Sequence, residues 1–427
     1  MKSSKRKICQ VVALVISSMG ATMAMAGTPS LLGGGSSLVA PTIQSEISAF
    51  PAADGSVTYS SVGSGLGQTA FLSNSPSSLN SGTVTYTGTV DFANSDAGLS
   101  ATQISAYQSS TLGTTSGPLI QIPYIVTPIT IPVVNGPNGS GPTLPNGGTT
   151  KTVALNDSDL CGIFSGKLTN WNQVFNPVSS VTYAKNATIT VVYRSDNSGT
   201  TDLLTRHLAA VCSSTTSNIT FTETQNLAGL FTAAGKTVPA NFVSASGSGG
   251  VAAVLVASAG GTAAAIGYLS PDYTNTFLAP SSAQAKTNNL NVASLLNANS
   301  NTMEIPTFSA ATTALGSAAA PTGSAASQPI NWVPNVGNPT SGYPVSGTSQ
   351  IILSQCYANA GAASPTPAQS IVDFLTAHYA DTSVINGNGF DVPGAYVSAI
   401  TADFLSNTST LGLDIGDSTV CSKVTGR

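Results

Sequence analysis

Apolar positions along this chain change period repeatedly, and each change falls at a turn rich in Gly and Ser. Residues 187–193 (Ala-Thr-Ile-Thr-Val-Val-Tyr) alternate as a strand does. Past a polar stretch, Leu203, Leu204, His207, Leu208 and Val211 recur at helical spacing. The same succession opens the chain. Leu31 and Leu32 lead a short strand into Gly33-Gly34-Gly35-Ser36-Ser37-Leu38, Pro41 suits a first helical turn, and Ile43, Ile47 and Phe50 keep one helix face. Val57-Thr58-Tyr59 reads as a strand entering a flexible turn at residues 62–67, with a short helix to follow. Residues 84–92 alternate toward Ser95-Asp96, and Ser100 stands where a helix cap belongs.

Further on, residues 120–134 are rich in Ile, Val and Pro and read as extended chain crossing between two lobes. Residues 135–150 form a Gly/Pro/Asn loop, residues 157–164 a capped helix, and Thr169-Asn170-Trp171 a turn. Gly247-Ser248-Gly249-Gly250 opens an Ala/Val helix, and its glycines are assigned to tight helix–strand packing. Ala264, Ile266, Tyr268 and Leu269 mark a buried strand. Residues 303–337 are Ala/Thr/Ser/Pro-rich and read as a long surface loop. A strand at Ile351-Ile352-Leu353 and two late helices, carrying Ile371, Phe374, Leu375 and His378 and then Tyr396, Ile400 and Phe404, complete the chain. Strand, polar turn, helix is the recurring unit. It implies an α/β fold with ligands at the carboxyl ends of strands.

Composition changes this picture at the ends. Lys2, Lys5, Arg6 and Lys7 precede an apolar stretch, residues 8–21, and Ala24-Met25-Ala26 is a small-x-small cleavage site, so residues 1–26 read as an export signal cleaved after Ala26. The rest carries nine basic against seventeen acidic residues, a net charge of −8, which argues against nucleic acid as a partner. Its length of about 400 residues exceeds one ordinary core, so two lobes are expected. The boundaries read as residues 27–122 plus 273–427 for the first lobe and 123–272 for the second. Four cysteines remain, Cys161, Cys212, Cys356 and Cys421; an even number in an exported chain suggests two disulfides in one of three pairings. There is no close Cys or His pair, so neither a metal site nor a cofactor is expected.

The chemistry concentrates at Arg194-Ser195-Asp196-Asn197-Ser198-Gly199-Thr200-Thr201. A strand delivers a guanidinium, and Ser198-Gly199-Thr200 opens a helix beside it. A helix N-terminus presents unpaired N–H groups and partial positive charge. Hydroxyls add donors and Gly permits close approach, which together suit a small tetrahedral oxyanion. Asp196 is placed to hold the guanidinium. Taken alone, Asp96 reads as a helix cap, Ser37 and Ser64 as turn residues, and Ser198 as a helix cap. His207 and His378 sit on helical patterns with apolar neighbours and suit core or surface roles, while Trp171 and Trp332 suit packing.

In order along the chain, these motifs resemble the phosphate-binding proteins of bacterial ABC phosphate transporters, and within them the DING subgroup. The resemblance rests on Gly33-Gly34-Gly35-Ser36-Ser37-Leu38, Val62-Gly63-Ser64-Gly65, Ser95-Asp96-Ala97-Gly98-Leu99, residues 194–201, Cys161-Gly162-Ile163-Phe164-Ser165-Gly166-Lys167-Leu168-Thr169, Ser341-Gly342-Tyr343-Pro344 and Ser354-Gln355-Cys356-Tyr357-Ala358-Asn359. It implies a two-lobed periplasmic-binding-protein fold closing as a hinged clamp. The implied phosphate ligands are Ser37, the Leu38 N–H, Ser64, Asp96, Arg194, Ser198, Gly199 and Thr200. It implies Cys161–Cys212 and Cys356–Cys421 bridges, arsenate as an analogue, a membrane ABC permease as partner, a monomer, and a periplasmic or secreted location. Ser30-Leu31-Leu32 stands where DING proteins carry Asp-Ile-Asn, Ser36-Ser37 replaces Ala-Thr, and Asp196 replaces Glu. A phosphatase, or a secreted interaction protein keeping the phosphate fold, are the rival expectations.

Overall fold

A computed structural model describes residues 27–316 and 318–427. The expected export signal, residues 1–26, and its expected cleavage point lie outside the described residues. The first sheet has the order β2-β1-β3-β14-β4, built from β1 (Ser30–Gly35), β2 (Ser56–Ser61), β3 (Phe92–Ser95), β4 (Leu119–Pro128) and β14 (Ser346–Ser354). The first three strands are parallel, with Leu31 opposite Val57 and Gly34 opposite Ala93, while β14 runs antiparallel to both β3 and β4. Every residue of β4 and β14 is buried, as in a sheet covered on both faces.

The second sheet, β10-β9-β11-β5, comprises β5 (Val133–Val134), β9 (Ile189–Arg194), β10 (Phe242–Ala245) and β11 (Ala264–Ile266). Its first three strands are parallel and β5 is an antiparallel edge. A smaller sheet orders β13 (Thr302–Glu304), β12 (Ala293–Asn297) and β6 (Val153–Leu155), so a strand from the later chain joins one from the middle. A hairpin of β7 (Phe175–Asn176) and β8 (Val181–Thr182) stands apart.

The apolar crossing runs as the sequence suggests. It leaves the first sheet after Pro128 and enters the second at Val133, buried throughout. On the way it pairs with the returning chain: the Thr130 N–H donates to the Leu269 carbonyl at 2.8 Å, and the Leu269 N–H donates to the Thr130 carbonyl at 3.1 Å. Both expected bridges with Cys161 and Cys356 form, to Cys212 and Cys421 respectively. The first ties the Asp157–Phe164 helix to the end of the Gly199–Val211 helix.

Three local expectations change. The flexible turn at residues 62–67 is shorter, because the following helix already begins at Ser64. Residues 84–91 are not strand; only Phe92–Ser95 finds a partner in the sheet, and alternation without a neighbouring edge does not make a strand. The Ala-rich stretch 303–337 is not a surface loop. Alanine favours helix, and Phe308–Leu315 is one, burying Ala311 and Ala314. Trp332 then anchors the segment against Tyr396 and Phe404, with its indole N–H donating to the Ala326 carbonyl at 2.8 Å.

Candidate functional site

Strand β9 ends on Arg194, whose side chain is 2% exposed. Its backbone N–H donates to the Tyr268 hydroxyl at 3.0 Å, and that hydroxyl contacts Thr201 Oγ1 at 2.7 Å. Strand end, helix start and the chain after β11 are thereby pinned together. The guanidinium grips Asp196 from two nitrogens, Nε to Oδ1 at 2.8 Å and Nη2 to Oδ2. Burial pushes the Asp196 carboxyl up, but the Arg194 hydrogen bonds and charge outweigh it and hold it below the usual carboxylate range. Such a pair fixes the guanidinium plane and leaves Nη1 facing Ser248 Oγ at 3.5 Å.

Beside it, Ser198 caps the Gly199–Val211 helix by accepting the Thr201 N–H at 3.3 Å. The helix start lies tight against the acidic loop: a Cβ on Gly199 would come within 2.5 Å of Ser64 Oγ and 2.7 Å of the Asp96 N. No other residue fits there. Gly63, at φ +92°, is likewise required, since a Cβ would meet Asp196 Oδ2 at 2.5 Å. These two glycines bring the Ser64, Asp96 and Ser198 turns into one cluster.

Asp96 is its centre, 1% exposed. Oδ1 accepts from the Ser36 hydroxyl at 2.6 Å and Oδ2 from Thr200 Oγ1 at 3.4 Å, while its own N–H donates to Ser64 Oγ at 3.2 Å. Burial pushes the Asp96 carboxyl above its ordinary range, against the opposing pull of the Ser36 hydroxyl and the Arg194 charge. It does not cap the next helix; Ser100 does, accepting the Gln103 N–H in a capping box.

The anion-site residues expected from the sequence therefore lie close together here, all buried except the half-buried Asp196. The Leu38 N–H donates to Ser36 Oγ at 3.1 Å. Ser37 Oγ accepts the Ser248 N–H at 3.0 Å and contacts Ser248 Oγ at 2.9 Å. Ser248, fully buried at the start of the Gly247–Ala259 helix, was assigned by sequence to a packing turn, and this is corrected. A Cβ on Gly249 or Gly250 would meet its nearest neighbour at 3.9 or 3.5 Å, ordinary contact distances, whereas the Gly247 N–H donates to Asp196 Oδ1 at 3.0 Å. The turn faces the site. A second Gly/Ser helix start in the second sheet was the available signal. Ser36 was also missed, though it stands beside Ser37 in the same Gly-rich turn. Arg206 lies elsewhere, paired with Asp202 at 3.1 Å and Glu223 at 3.2 Å. Both histidines are engaged in other places. His207 bridges Asp157 and the Gly337 carbonyl, and His378 bridges Glu46 and the Tyr124 carbonyl.

Two α/β sheets joined by paired crossing segments, with a donor-rich cluster gathered from strand ends and helix starts, define a periplasmic-binding-protein type of molecule. The chain belongs to the PBP superfamily, whose domain model matches residues 22–363. It is 37% identical over 387 residues to alkaline phosphatase L of Pseudomonas aeruginosa strain UCBPP-PA14, covering 87% of this chain and 88% of that one. It is 33% identical over 386 residues to a phosphate-binding protein from an unknown prokaryotic organism, covering 86% and 92%. A solved high-affinity periplasmic phosphate-binding protein, PfluDING, bound with phosphate, superposes with a TM-score of 0.72 at 33% identity, over 93% of this chain and 99% of that one.

Proposed function

We propose that this chain captures inorganic phosphate outside the cytoplasmic membrane and delivers it to a membrane ABC permease. In this reading it is exported, with its signal removed after Ala26, and works as a binding protein rather than an enzyme. One lobe is built on the five-stranded sheet and the other on the four-stranded sheet, with the paired segments around Thr130 and Leu269 as the hinge. Ser37, the Leu38 N–H, Ser64, Arg194, Ser198, Gly199 and Thr200 donate to the anion, and Asp96 accepts.

The observation that carries the reading is the buried Asp96 carboxyl in the same cluster as Arg194 and the Gly199 helix start. A carboxylate repels a bare anion. It suits one that brings a proton, as phosphate does near neutral pH and sulfate does not. Titration of ligand-stripped protein should give tight phosphate binding, competition by arsenate, and discrimination against sulfate that can reach ~10⁴-fold. Asp96→Asn offers an amide donor and should narrow that gap while keeping most phosphate affinity. Equal binding of sulfate and phosphate by the wild type overturns the reading.

The name of the Pseudomonas relative favours a second reading, hydrolysis of phosphate esters. A hydroxyl nucleophile needs an adjacent base. Ser37 faces Ser248 and neither histidine reaches the Arg194 cluster, so the base this reading needs would be Asp96, beside the Ser36 and Thr200 hydroxyls. Release of phosphate from a chromogenic monoester, assayed with added divalent metals, separates the two readings; turnover that is lost in Arg194→Ala would establish the enzyme.

A further inference from the structure

We propose that Gln68 positions the Asp96 carboxyl and couples that position to closure of the cleft, which makes it a specificity-determining residue for phosphate over sulfate. The inference rests on the phosphate reading above. Ser64 and Gln68 stand one turn apart on the Ser64–Ser73 helix and so share a face. Both grip the acidic loop. Ser64 Oγ accepts the Asp96 N–H at 3.2 Å, and Gln68 Nε2 donates to the two residues flanking Asp96: to Ser95 Oγ and to the Ala97 carbonyl, each at 2.9 Å. A carbonyl only accepts, so the Ala97 contact fixes which way the Gln68 amide points.

The other end of that amide looks across the cleft. Gln68 Oε1 accepts from Gln103 Nε2 at 3.1 Å and from Gln225 Nε2 at 3.3 Å. All four hydrogen-bonding places of Gln68 are filled, and the residue is 2% exposed. Gln225 belongs to the opposite wall. Its backbone carbonyl accepts the Ser198 N–H at 3.0 Å, so the residue that touches Gln68 also holds the start of the Gly199 helix. These amides line a cleft of about 730 Å³ whose walls also carry Ala97, Asn197, Asp202 and Arg206. Gln225 Oε1 is buried there without a partner among the described residues, where the side chain's one bond is the one to Gln68. This amide-to-amide contact thus adds to the Thr200–Asp96 bond in joining the turn that donates to the anion to the loop that accepts from it. When the walls part, Gln68 loses an acceptor contact and the Asp96 loop loses a restraint. When they meet, the carboxyl is locked at the place where a protonated oxyanion must present its hydrogen.

The test is the phosphate-to-sulfate affinity ratio, because a merely structural role lowers both affinities together. Gln68→Met keeps the volume and removes every hydrogen bond. It should cut the ratio roughly tenfold or more, the scale of a buried hydrogen-bond network left unmade. Gln68→Glu sets a carboxylate oxygen against the Ala97 carbonyl and should lower the ratio as well, which keeps the test available if the Met variant does not fold. Gln225→Leu, at a half-buried site, removes the cross-cleft restraint and leaves the Ser95 and Ala97 bonds, so it should speed phosphate release and lower the ratio by less than the Gln68 variants do. A wild-type ratio in a folded Gln68 variant that still binds phosphate overturns the assignment, and unchanged release in Gln225→Leu overturns the coupling. Failure of the wild type itself to bind phosphate would instead remove the function on which the inference rests.

Discussion

Two arginines on either side of one helix start show how much neighbours decide a residue's work. Arg194 is locked by Asp196 and directs Nη1 into the Ser248 and Ser37 cluster. Arg206, down the same helix, spends its guanidinium on Asp202, Glu223 and the Pro334 carbonyl. Asp202 is pushed up to about 7 by burial, with the Arg206 charge pulling against it and Glu223 adding to the rise. Removing each arginine should therefore hurt different properties. Arg194→Ala deletes a buried charge-assisted donor and should weaken phosphate binding by about 2–5 kcal/mol. Arg206→Ala leaves Asp202 buried without its partner, so the carboxyl takes up a proton, and should cost about 1–3 kcal/mol of stability, with a much smaller loss of affinity. Calorimetric titration and thermal unfolding of the two variants check the split. Equal affinity losses would mean that the anion sits nearer the Asp202 cleft than the Arg194 cluster.

At the scale of elements, the site depends on helix starts being held at fixed distances, and the Cys161–Cys212 bridge is one of the holders. It closes 51 positions of chain and joins the end of the Gly199 helix to the Asp157–Phe164 helix. Replacing both cysteines with Ala should cost roughly 2–5 kcal/mol of stability, chiefly by freeing the unfolded chain. Urea unfolding under oxidising conditions measures it, and a change below 1 kcal/mol would show that the closed loop retains its order when unfolded. Elements whose cause is local were legible in the sequence. Ser198 and Ser100 cap helices because hydroxyls accept N–H groups two or three residues on, and β9 is rich in the β-branched residues that strands favour. The Arg194–Asp196 pair, two residues apart, is equally local. What the sequence did not disclose is long-range. Ser36 meets Asp96 across 60 positions and Ser248 meets Ser37 across 211, and nothing in a turn's composition says which distant turn it will face. Nothing in the composition of the Ser64–Ser73 helix sets Gln68 apart from its other polar residues. The Ala-rich segment 303–337 misled for the opposite reason, since low complexity there conceals a helix and a buried Trp332.

For the whole molecule, buried carboxyls set the response to pH and cross-cleft contacts set the response to ligand. Burial raises Asp91 to about 6, against the Leu32 N–H and the Arg427 charge, and Asp159 to about 7, against the N–H groups of Asn156 and Phe175. An unfolded aspartate titrates near 3.9. Between about pH 4 and 7 the folded chain holds protons that the unfolded chain has released, so stability falls as pH rises through this window. The contribution is complete below about pH 4 and gone above about pH 7, and thermal unfolding should show a higher Tm at pH 5 than at pH 8; the opposite trend would place these carboxyls in the charged form when folded. Ligand response follows from a different set of contacts. The Thr130 and Leu269 segments stay bonded to each other and give the two sheets a common pivot. Far from that pivot, Ser37 and Ser248 share two hydrogen bonds, and the Gly65 N–H donates to the Asn197 carbonyl at 3.1 Å. In the proposed clamp, contacts of this kind form as the cleft closes. Losing them should leave the encounter of phosphate with the open cleft untouched and let the closed state escape sooner. Ser248→Ala removes the hydroxyl half of one such pair, worth about 1 kcal/mol, so phosphate release should quicken by roughly fivefold with the association rate unchanged. Stopped-flow measurement of both rates decides it. A slowed association with normal release would place the Ser37–Ser248 contact before closure, as part of the surface that first receives the ion.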